Sequence, residues 1–450
     1  MNKLFLTLIV TGSLITRVMA QTPPPAAPTH SFTLADCIAY ALQHQDTVIN
    51  ANLDIKSAQY RVKEVTGQGL PQLTASASLL DYLKIPTTLL PGEFFGAPGT
   101  FIPVKFGVKY QSNFGVDASQ LLFDGTFFIG LKASKTYQEL SQKSLTRSKI
   151  QANVNVTKAY YSVLVNDERV KLLDANIKQL KTQLDQTTAQ NKQGFVEKID
   201  VDRTTVQYNT LVSNRENALR LLAVGYQMLK FQMGMPIQEN LILLDKLEDV
   251  KLDETAAAQT TDTTLYKNRI EYSLLETQYR LNQLDVKRNQ ANYFPKLSAI
   301  GNFTSAYQDN AFGNLYANQF PSSYIGLRLS WQVFTGFQHK YQVAQSKITV
   351  QKTQNDMENA KNGFALQAEY ARINYINGLQ TLNSQRRNRD LAQEVLRVSK
   401  IKYQQGVGSS IEVTQAETAL VDADDKYIQG LYDALVNKVE LDRTYGRIQY

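Results

Sequence analysis

Between Lys105 and Ser119 the chain alternates. Phe106, Val108, Tyr110, Phe114, Val116 and Ala118 fall on one side, and Lys105, Lys109, Gln111, Asn113, Asp117 and Ser119 on the other. A period of two predicts a strand with one apolar and one polar face. In the next stretch, QLLFDGTFFIG (Gln120–Gly130), the period lengthens. Beyond Gly125 apolar residues recur every three or four positions, and from Thr126 to about Gln190 there is no proline and one glycine, Gly130. This predicts a single helix of about 65 residues, close to 100 Å long. Within it Val163, Val170, Ile177 and Leu184 recur every seven residues, with Leu173 and Leu180 at complementary positions. That is the spacing of a coiled-coil seam. Gly125 is expected to permit the bend between strand and helix.

The flanking segments complete a unit. Thr33, with Asp36 three residues later, predicts a capping box opening a helix through Leu34, Ile38, Ala41 and Leu42 to about Gly67. LPQLTASASLL then alternates as a first strand, and KIPTTLLPGEFFGAPGTFIPV reads as a long loop between the strands. After the long helix, Gly194 marks a tight turn, and a shorter helix runs from about Ile199 to Met233, closed by Gly234 before Pro236.

The unit then repeats. WQVFTGFQHKY echoes the first seam, with Phe334 and Gly336 each 211 positions after Phe123 and Gly125. Gly194 and Gly406, Ile199 and Ile411, Val201 and Val413, and Gly234 and Gly446 are 212 apart, whereas Pro71 and Pro295 are 224 apart, so the first inter-strand loop carries 13 extra residues. Strands are expected near Leu297–Tyr307 and Tyr324–Phe334, then a second helix of about 65 residues to Gly406. A final helix has Val413, Leu420, Tyr427, Ala434 and Leu441 every seven residues, the counterparts of Val201, Tyr208, Arg215, Leu222 and Leu229. The two shorter helices of each half, read as about 34 residues each, would stack end to end to match the long one. The expected division is a signal peptide (1–20), a Pro-rich tether (21–32), a first repeat (33–236), a connector (237–262) and a second repeat (263–450).

Composition narrows the setting of this fold. In 450 residues there are 12 prolines and 23 glycines, and the mean hydropathy is -0.31, which excludes a disordered chain and a bundle of membrane helices. Lys3, an apolar run from Leu4 to Ile15, and Val18-Met19-Ala20 read as an export signal. No later stretch reaches the roughly 18 apolar residues of a spanning helix, so membrane insertion must be by strands. Four strands per chain cannot close a barrel, because closure takes about eight, so other copies of the chain must complete it. The single cysteine, Cys37, has no intrachain disulfide partner. Loss of Lys3 and Arg17 lowers the formal net charge from +7 to +5, without Lys/Arg runs, which argues against nucleic acid as a partner.

With these features in order and duplicated, the chain resembles the TolC family of outer-membrane efflux channels over essentially its whole mature length. The carriers are QLLFDG and WQVFTG, the prolines of LPQLTAS and FPKLSAI, and the turns NKQGFVEKIDV and YQQGVGSSIEV. The resemblance implies a mainly α fold with membrane β: a long α-helical coiled-coil barrel continuous with a twelve-stranded, trimeric β-barrel, four strands per chain, built on an internal duplication. It implies a homotrimer in outer-membrane lipid with its tunnel in the periplasm, partnered by a periplasmic adaptor (membrane fusion) protein and an inner-membrane pump in efflux or type I secretion. By the same resemblance, Gly194, Phe195, Val196, Gly406, Val407 and Gly408 are the tips that meet the adaptor. Asp200 and Tyr403 match an acid and a tyrosine that hydrogen-bond to hold the entrance shut. Glu412 matches the first of two carboxylates at the narrowest point; the second position is Gln415. Gly408 stands where a gate arginine is found in the family's best-known member.

Other candidate chemistry is sparse. Trp331, the sole tryptophan, is read as a membrane-interface aromatic at the inner end of its strand. His30, His44 and His339 are scattered, and no phosphate loop or zinc spacing appears, so no catalytic residue, cofactor or metal is expected. The acidic run Asp422 to Asp425 lacks the glycine and distal glutamate of a calcium loop and reads as solvated charge. Lys105, Lys109 and Arg328 suggest an anion-tolerant outer mouth. A periplasmic coiled-coil adaptor or adhesin is the alternative reading; it accounts for the heptads but not for four amphipathic strands at matched positions.

Overall fold

The computed structural model describes residues 29–96, 98–247, 250, 252 and 264–448. The expected signal peptide, most of the tether and the end of the connector lie outside the described residues. The last four tether residues form a strand, β1 (Thr29–Phe32), which pairs in parallel with β6 (Asn240–Leu243) inside the connector. The capping box is present: the Asp36 amide donates to Thr33 Oγ1 at 3.3 Å, and the Thr33 amide to Asp36 Oδ2 at 3.0 Å.

The helix it opens is not continuous. It divides into α1 (Leu34–His44) and α2 (Asp46–Gly67) at Gln45, whose extended backbone breaks the helix while its Oε1 accepts from the Thr47 and Val48 amides at 2.9 and 3.2 Å. The cause is tertiary: a Cβ on Gly234 would sit 2.4 Å from the His44 carbonyl oxygen. The second half repeats the contact. A Cβ on Gly446 would lie 2.7 Å from the carbonyl oxygen of Asn268, next to the start of α5 (Ile270–Ala291). Both glycines have positive φ, +71° and +67°.

The sheet is β2 (Gln72–Asp81), β5 (Tyr110–Phe123), β7 (Lys296–Asp309) and β8 (Gln319–Ser330), antiparallel throughout in that order, with β2 and β8 at the open edges. The register aligns chemistry across all four strands. Leu73, Ala75, Ala77 and Leu79 lie beside Ala118, Val116, Phe114 and Ser112, and these beside Gly301, Phe303, Ser305 and Tyr307. The opposite face carries Thr74, Ser76, Ser78, Asn113, Asp117, Asn302 and Arg328, with Asn302 donating to Asp117 at 2.9 Å. Three boundaries differ from expectation. The strand expected from Lys105 begins at Tyr110 and runs on to Phe123, because Gly107 turns the chain at φ +115°. The expected loop before it holds a hairpin, β3 (Thr87–Pro91) with β4 (Phe101–Lys105). β8 lies earlier than expected, leaving Trp331 to Phe334 outside the strand.

Below the sheet, α3 (Gly125–Lys192) and α6 (Gln338–Gln404) are single helices of 68 and 67 residues. They are paired with shorter helices: α2 and α5 of 22 residues each, and α4 (Lys198–Met233) and α7 (Ser410–Thr444) of 36 and 35. The upper helices are thus shorter than the expected 34, since in the first half α1 is detached to pack on α3 and α4. Four rods result, in the order α2/α4, α3, α5/α7, α6. Val163, Val170, Leu173 and Leu180 are buried in the α3–α4 seam with Leu211 and Ala218, and Val413 and Leu420 in the α6–α7 seam with Leu396, as the heptads require.

The two strand-to-helix seams differ. In the first, Asp124 caps α3 by accepting from the Thr126 amide at 2.7 Å and pairs with Lys296 at 3.0 Å. Burial alone would raise its pKa, but hydrogen bonds from Thr126 and Lys296 outweigh it and hold the carboxyl below its usual range. Gly125 has ordinary helical geometry here; what it supplies is closeness to Ala291, 3.2 Å from where its Cβ would stand. The bend by positive φ occurs only in the second seam, at Gly336 (+58°) and Phe337 (+65°).

The glycine contacts carry the first prediction. Gly234→Ala should cost about 2–4 kcal/mol, from both positive φ and overlap with His44, and lower Tm by about 5 °C or more in a circular-dichroism melt. Gly446→Ala should cost less, and an unchanged melt for both would contradict the packing described.

Candidate functional site

The ends of the rods farthest from the sheet are two turns built alike. In the first, Gly194 takes φ +81°, the Phe195 amide returns to the Gln190 carbonyl at 2.9 Å, and Asn191 Nδ2 donates to the Val196 carbonyl at 2.8 Å. In the second, Gly406 takes φ +76°, and the amides of Val407 and Gly408 both return to the Lys402 carbonyl, at 3.0 and 3.1 Å. The αL glycine satisfies the last carbonyls of each helix and leaves the following apolar residue outside: Phe195 is 77% exposed and Val407 76%. Gly408 has a steric reason. A Cβ there would lie 2.9 Å from Lys402 Cβ and 3.0 Å from the Tyr403 nitrogen, so any longer side chain requires the end of α6 to shift.

The hairpins meet through polar groups. Ser410 Oγ donates to Asp200 Oδ1 across the α4–α7 gap, with Arg203 3.6 Å from the same oxygen. Two turns on, Gln207 Nε2 donates to the Thr414 carbonyl and Thr418 Oγ1, each at 3.4 Å. Ser410, Thr414 and Thr418, spaced four apart, thus face α4 as a hydroxyl ladder. A cleft of about 490 Å³ opens beside it, lined by Ile199, Val206, Gln207 and Thr418 among others.

Tyr403 does not reach Asp200 by a hydrogen bond. Its ring packs with Val413, Ala416 and Leu420 in the α6–α7 seam, and its hydroxyl is buried without a hydrogen-bond partner. Burial pushes its pKa up, and the Asp200 charge adds to this. Within the described residues Asp200 instead accepts from Ser410, which stands opposite it in the first turn of α7. Glu412 and Gln415 lie three residues apart on the exposed face of α7. The Glu412 amide donates to Ser409 Oγ at 3.2 Å, the N-cap of that helix. Sequence reasoning missed Ser410, Gln207 and Thr414, although hydroxyls at four-residue spacing beside a heptad seam were a legible signal.

Above the tips the packing of α7 on α3 and α6 combines an apolar cluster of Val165, Ile428 and Leu435 with polar and ionic pairs. Asp424 accepts from Asn176 Nδ2 at 2.9 Å and Arg389 Nε at 2.8 Å, joining α3, α6 and α7, while Asp425 pairs with Arg169 at 3.0 Å. The acidic run is therefore not merely solvated charge: Asp424 is buried. Glu417 is buried too, 2.9 Å from Lys400. Among the described residues no group of three or more His, Cys, Asp or Glu is placed to hold a metal ion, and no helix is long and apolar enough to cross a membrane. At the other end of the rods, Trp331 is 58% exposed one residue beyond β8, its indole N–H donating to the Tyr293 carbonyl at 3.1 Å.

The arrangement of sheet and duplicated rods is matched among known proteins. A model of the family described as "Outer membrane efflux protein" matches residues 37–230 and 273–447. The chain belongs to that family. It is 23% identical over 346 residues to the outer membrane protein TolC of Salmonella enteritidis, covering 75% of this chain and 70% of that one. It is 23% identical over 414 residues to the toluene efflux pump outer membrane protein TtgC of Pseudomonas putida, covering 88% and 78%. Its fold is shared with CusC (TM-score 0.74, 16% identity, 92% of each chain) and with the Neisseria gonorrhoeae MtrE outer membrane channel (TM-score 0.71, 16% identity, 92% and 88%). The protein is thus an outer-membrane efflux channel, with its sheet in the outer membrane; the alternative of an adaptor or adhesin is not supported.

Glu417 carries a prediction of its own. Burial raises its pKa and Lys400 offsets this only in part. Its folded pKa therefore lies above the unfolded value of about 4.3, so its contribution to stability is largest below that value and is lost as pH rises through the folded pKa. The Tm of the native protein minus that of Glu417→Gln should fall as pH rises above the unfolded pKa of about 4.3; a difference that stays level would refute the buried carboxyl.

Proposed function

We propose that three copies of the chain close head to tail into one passive duct, gated at the helix tips and working with a periplasmic adaptor and an inner-membrane pump. The observation that carries this is the agreement of the open sides. β2 and β8 end the sheet, α2/α4 and α6 end the row of rods, and the same chain ends supply both. The end rods keep exposed apolar stripes at helical spacing, Leu221, Val224, Met228 and Phe231 on α4 and Leu391, Val395 and Val398 on α6. Each stripe needs a cover that its own chain does not provide. Pairing β8 of one copy with β2 of the next satisfies the edge amides that lipid cannot, and brings the stripes together.

The tips are proposed as both gate and adaptor contact. Phe195 and Val407 project as apolar anchors beside Gly194, Val196, Gly406 and Gly408, and exposed anchors of this kind favour protein binding. Glu412 and Gln415 would line the narrowest ring, where three like charges brought together can recruit a cation. Near the tips the Asp200–Ser410 bond and the Gln207 contacts hold the hairpins together by polar groups, so separating them there exposes groups that water can satisfy. Trp331 is assigned to the inner membrane interface. No catalytic step, cofactor or nucleic acid has a part in this reading.

Two measurements test it. Membrane fractionation and native electrophoresis should find a detergent-stable trimer in the outer membrane; a monomer would end the proposal. In planar bilayers, Ser410→Ala combined with Asp200→Ala should raise single-channel conductance several-fold, while Tyr403→Phe alone leaves it unchanged because that hydroxyl bonds to nothing. An unaltered conductance in the double variant would remove the latch from the gate.

A further inference from the structure

The hairpin β3–β4 forms a two-stranded sheet of its own, with no third strand among the described residues. An isolated hairpin is marginal in water and needs something to pack against. Its register places Leu89, Pro91, Phe101 and Pro103 on one face and Leu90, Ile102 and Val104 on the other. Leu89 and Phe101 remain 62% and 70% exposed. The loop at the same end of the second half behaves differently. It folds back on its own sheet, burying Leu315 and setting Tyr316 5.2 Å from the Tyr307 ring. The extra residues of the first half thus carry one apolar face that the chain leaves exposed and a second, Leu90, Ile102 and Val104, that it covers only in part.

From these features we infer that the three hairpins of the closed duct pack against one another above the barrel mouth and form an outer cap. The inference rests on the trimeric reading above. Lipid is a poor occupant, because charged residues separate the hairpin from the apolar band: Asp81 and Asp309 end that band in register, and Lys84, Lys105 and Lys109 follow on the hairpin's stem. A second copy fits better, since around a threefold axis each hairpin meets one neighbour with one face and the other neighbour with the opposite face. Two different apolar faces are what that arrangement uses. The reach suffices: twelve strands about 4.8 Å apart and tilted about 40° make a barrel about 12 Å in radius. Five strand residues already span about 16 Å. The hairpin also leaves β2, the edge strand proposed to pair with the next copy, so the cap continues that interface outward. It is a second barrier, in series with the tip gate, facing the exterior.

The test uses the full-length protein in intact cells, with the buried Cys37 replaced by Ser. Leu89→Cys combined with Ile102→Cys, one on each face of the hairpin, should form disulfide-linked dimers and trimers on mild oxidation. Separately, Ser330→Cys, on the lumen face at the inner end of β8, is labelled from outside by a bulky impermeant maleimide. Adding Leu90→Asp and Ile102→Asp should accelerate that labelling at least tenfold. If the protein is a trimer but shows neither cross-link nor acceleration, the cap is wrong while the duct stands. If it is not a trimer, the duct itself fails, and the native gel separates the two results.

Discussion

A sheet with one apolar face can enter lipid only if the amides at its edges find partners, because hydrocarbon offers none. In this chain the two unpaired edges, β2 and β8, stand at opposite sides of a four-stranded sheet. Other features follow from that requirement. Each strand edge continues into an end rod, so closing the sheet also closes the row of helices. The duplication answers the same need, since two similar halves repeat one strand-to-helix junction and lay the rods side by side.

The interfaces divide by what they must resist. Within each hairpin the seams are apolar and regular, with Val163, Val170, Leu180 and Leu211 in the first and Leu396, Val413 and Leu420 in the second. Between hairpins the contacts near the tips are polar, Asp200 with Ser410 and Gln207 with Thr418, while farther up Asp424 with Asn176 is joined by an apolar cluster of Val165, Ile428 and Leu435. Apolar seams lose burial free energy when opened, whereas exposed hydrogen-bonded contacts exchange their partners for water at small net cost. A duct whose tips part along polar lines and whose rods stay intact uses that difference.

Much of the fold was legible because its period is long and repeated. Long helices, heptads, glycine turns and the alternation of four strands follow from local periodicity, and the offset arithmetic located the extra residues in the first inter-strand loop. What was misread lay where distant segments touch. Gln45 breaks a helix because Gly234 presses on His44, a contact across almost the whole first half. The loop before β5 holds a hairpin because Gly107 turns the chain. Asp424, taken from its neighbours as solvated, is buried because α3 and α6 bring Asn176 and Arg389 to it.

The sequence by itself determined the class of protein: the switch from a period of two to one near 3.5, made twice, specifies strands amphipathic enough for lipid and helices patterned for coiled coils. Those patterns are local, so they are readable without knowing what lies opposite. The tertiary structure decided the partners. It set Asp200 against Ser410, crowded position 408 against the end of α6, and placed a capping charge, Asp124, in one seam and a left-handed turn, Gly336–Phe337, in the other. Each depends on distances across helices many residues apart, which periodicity does not encode.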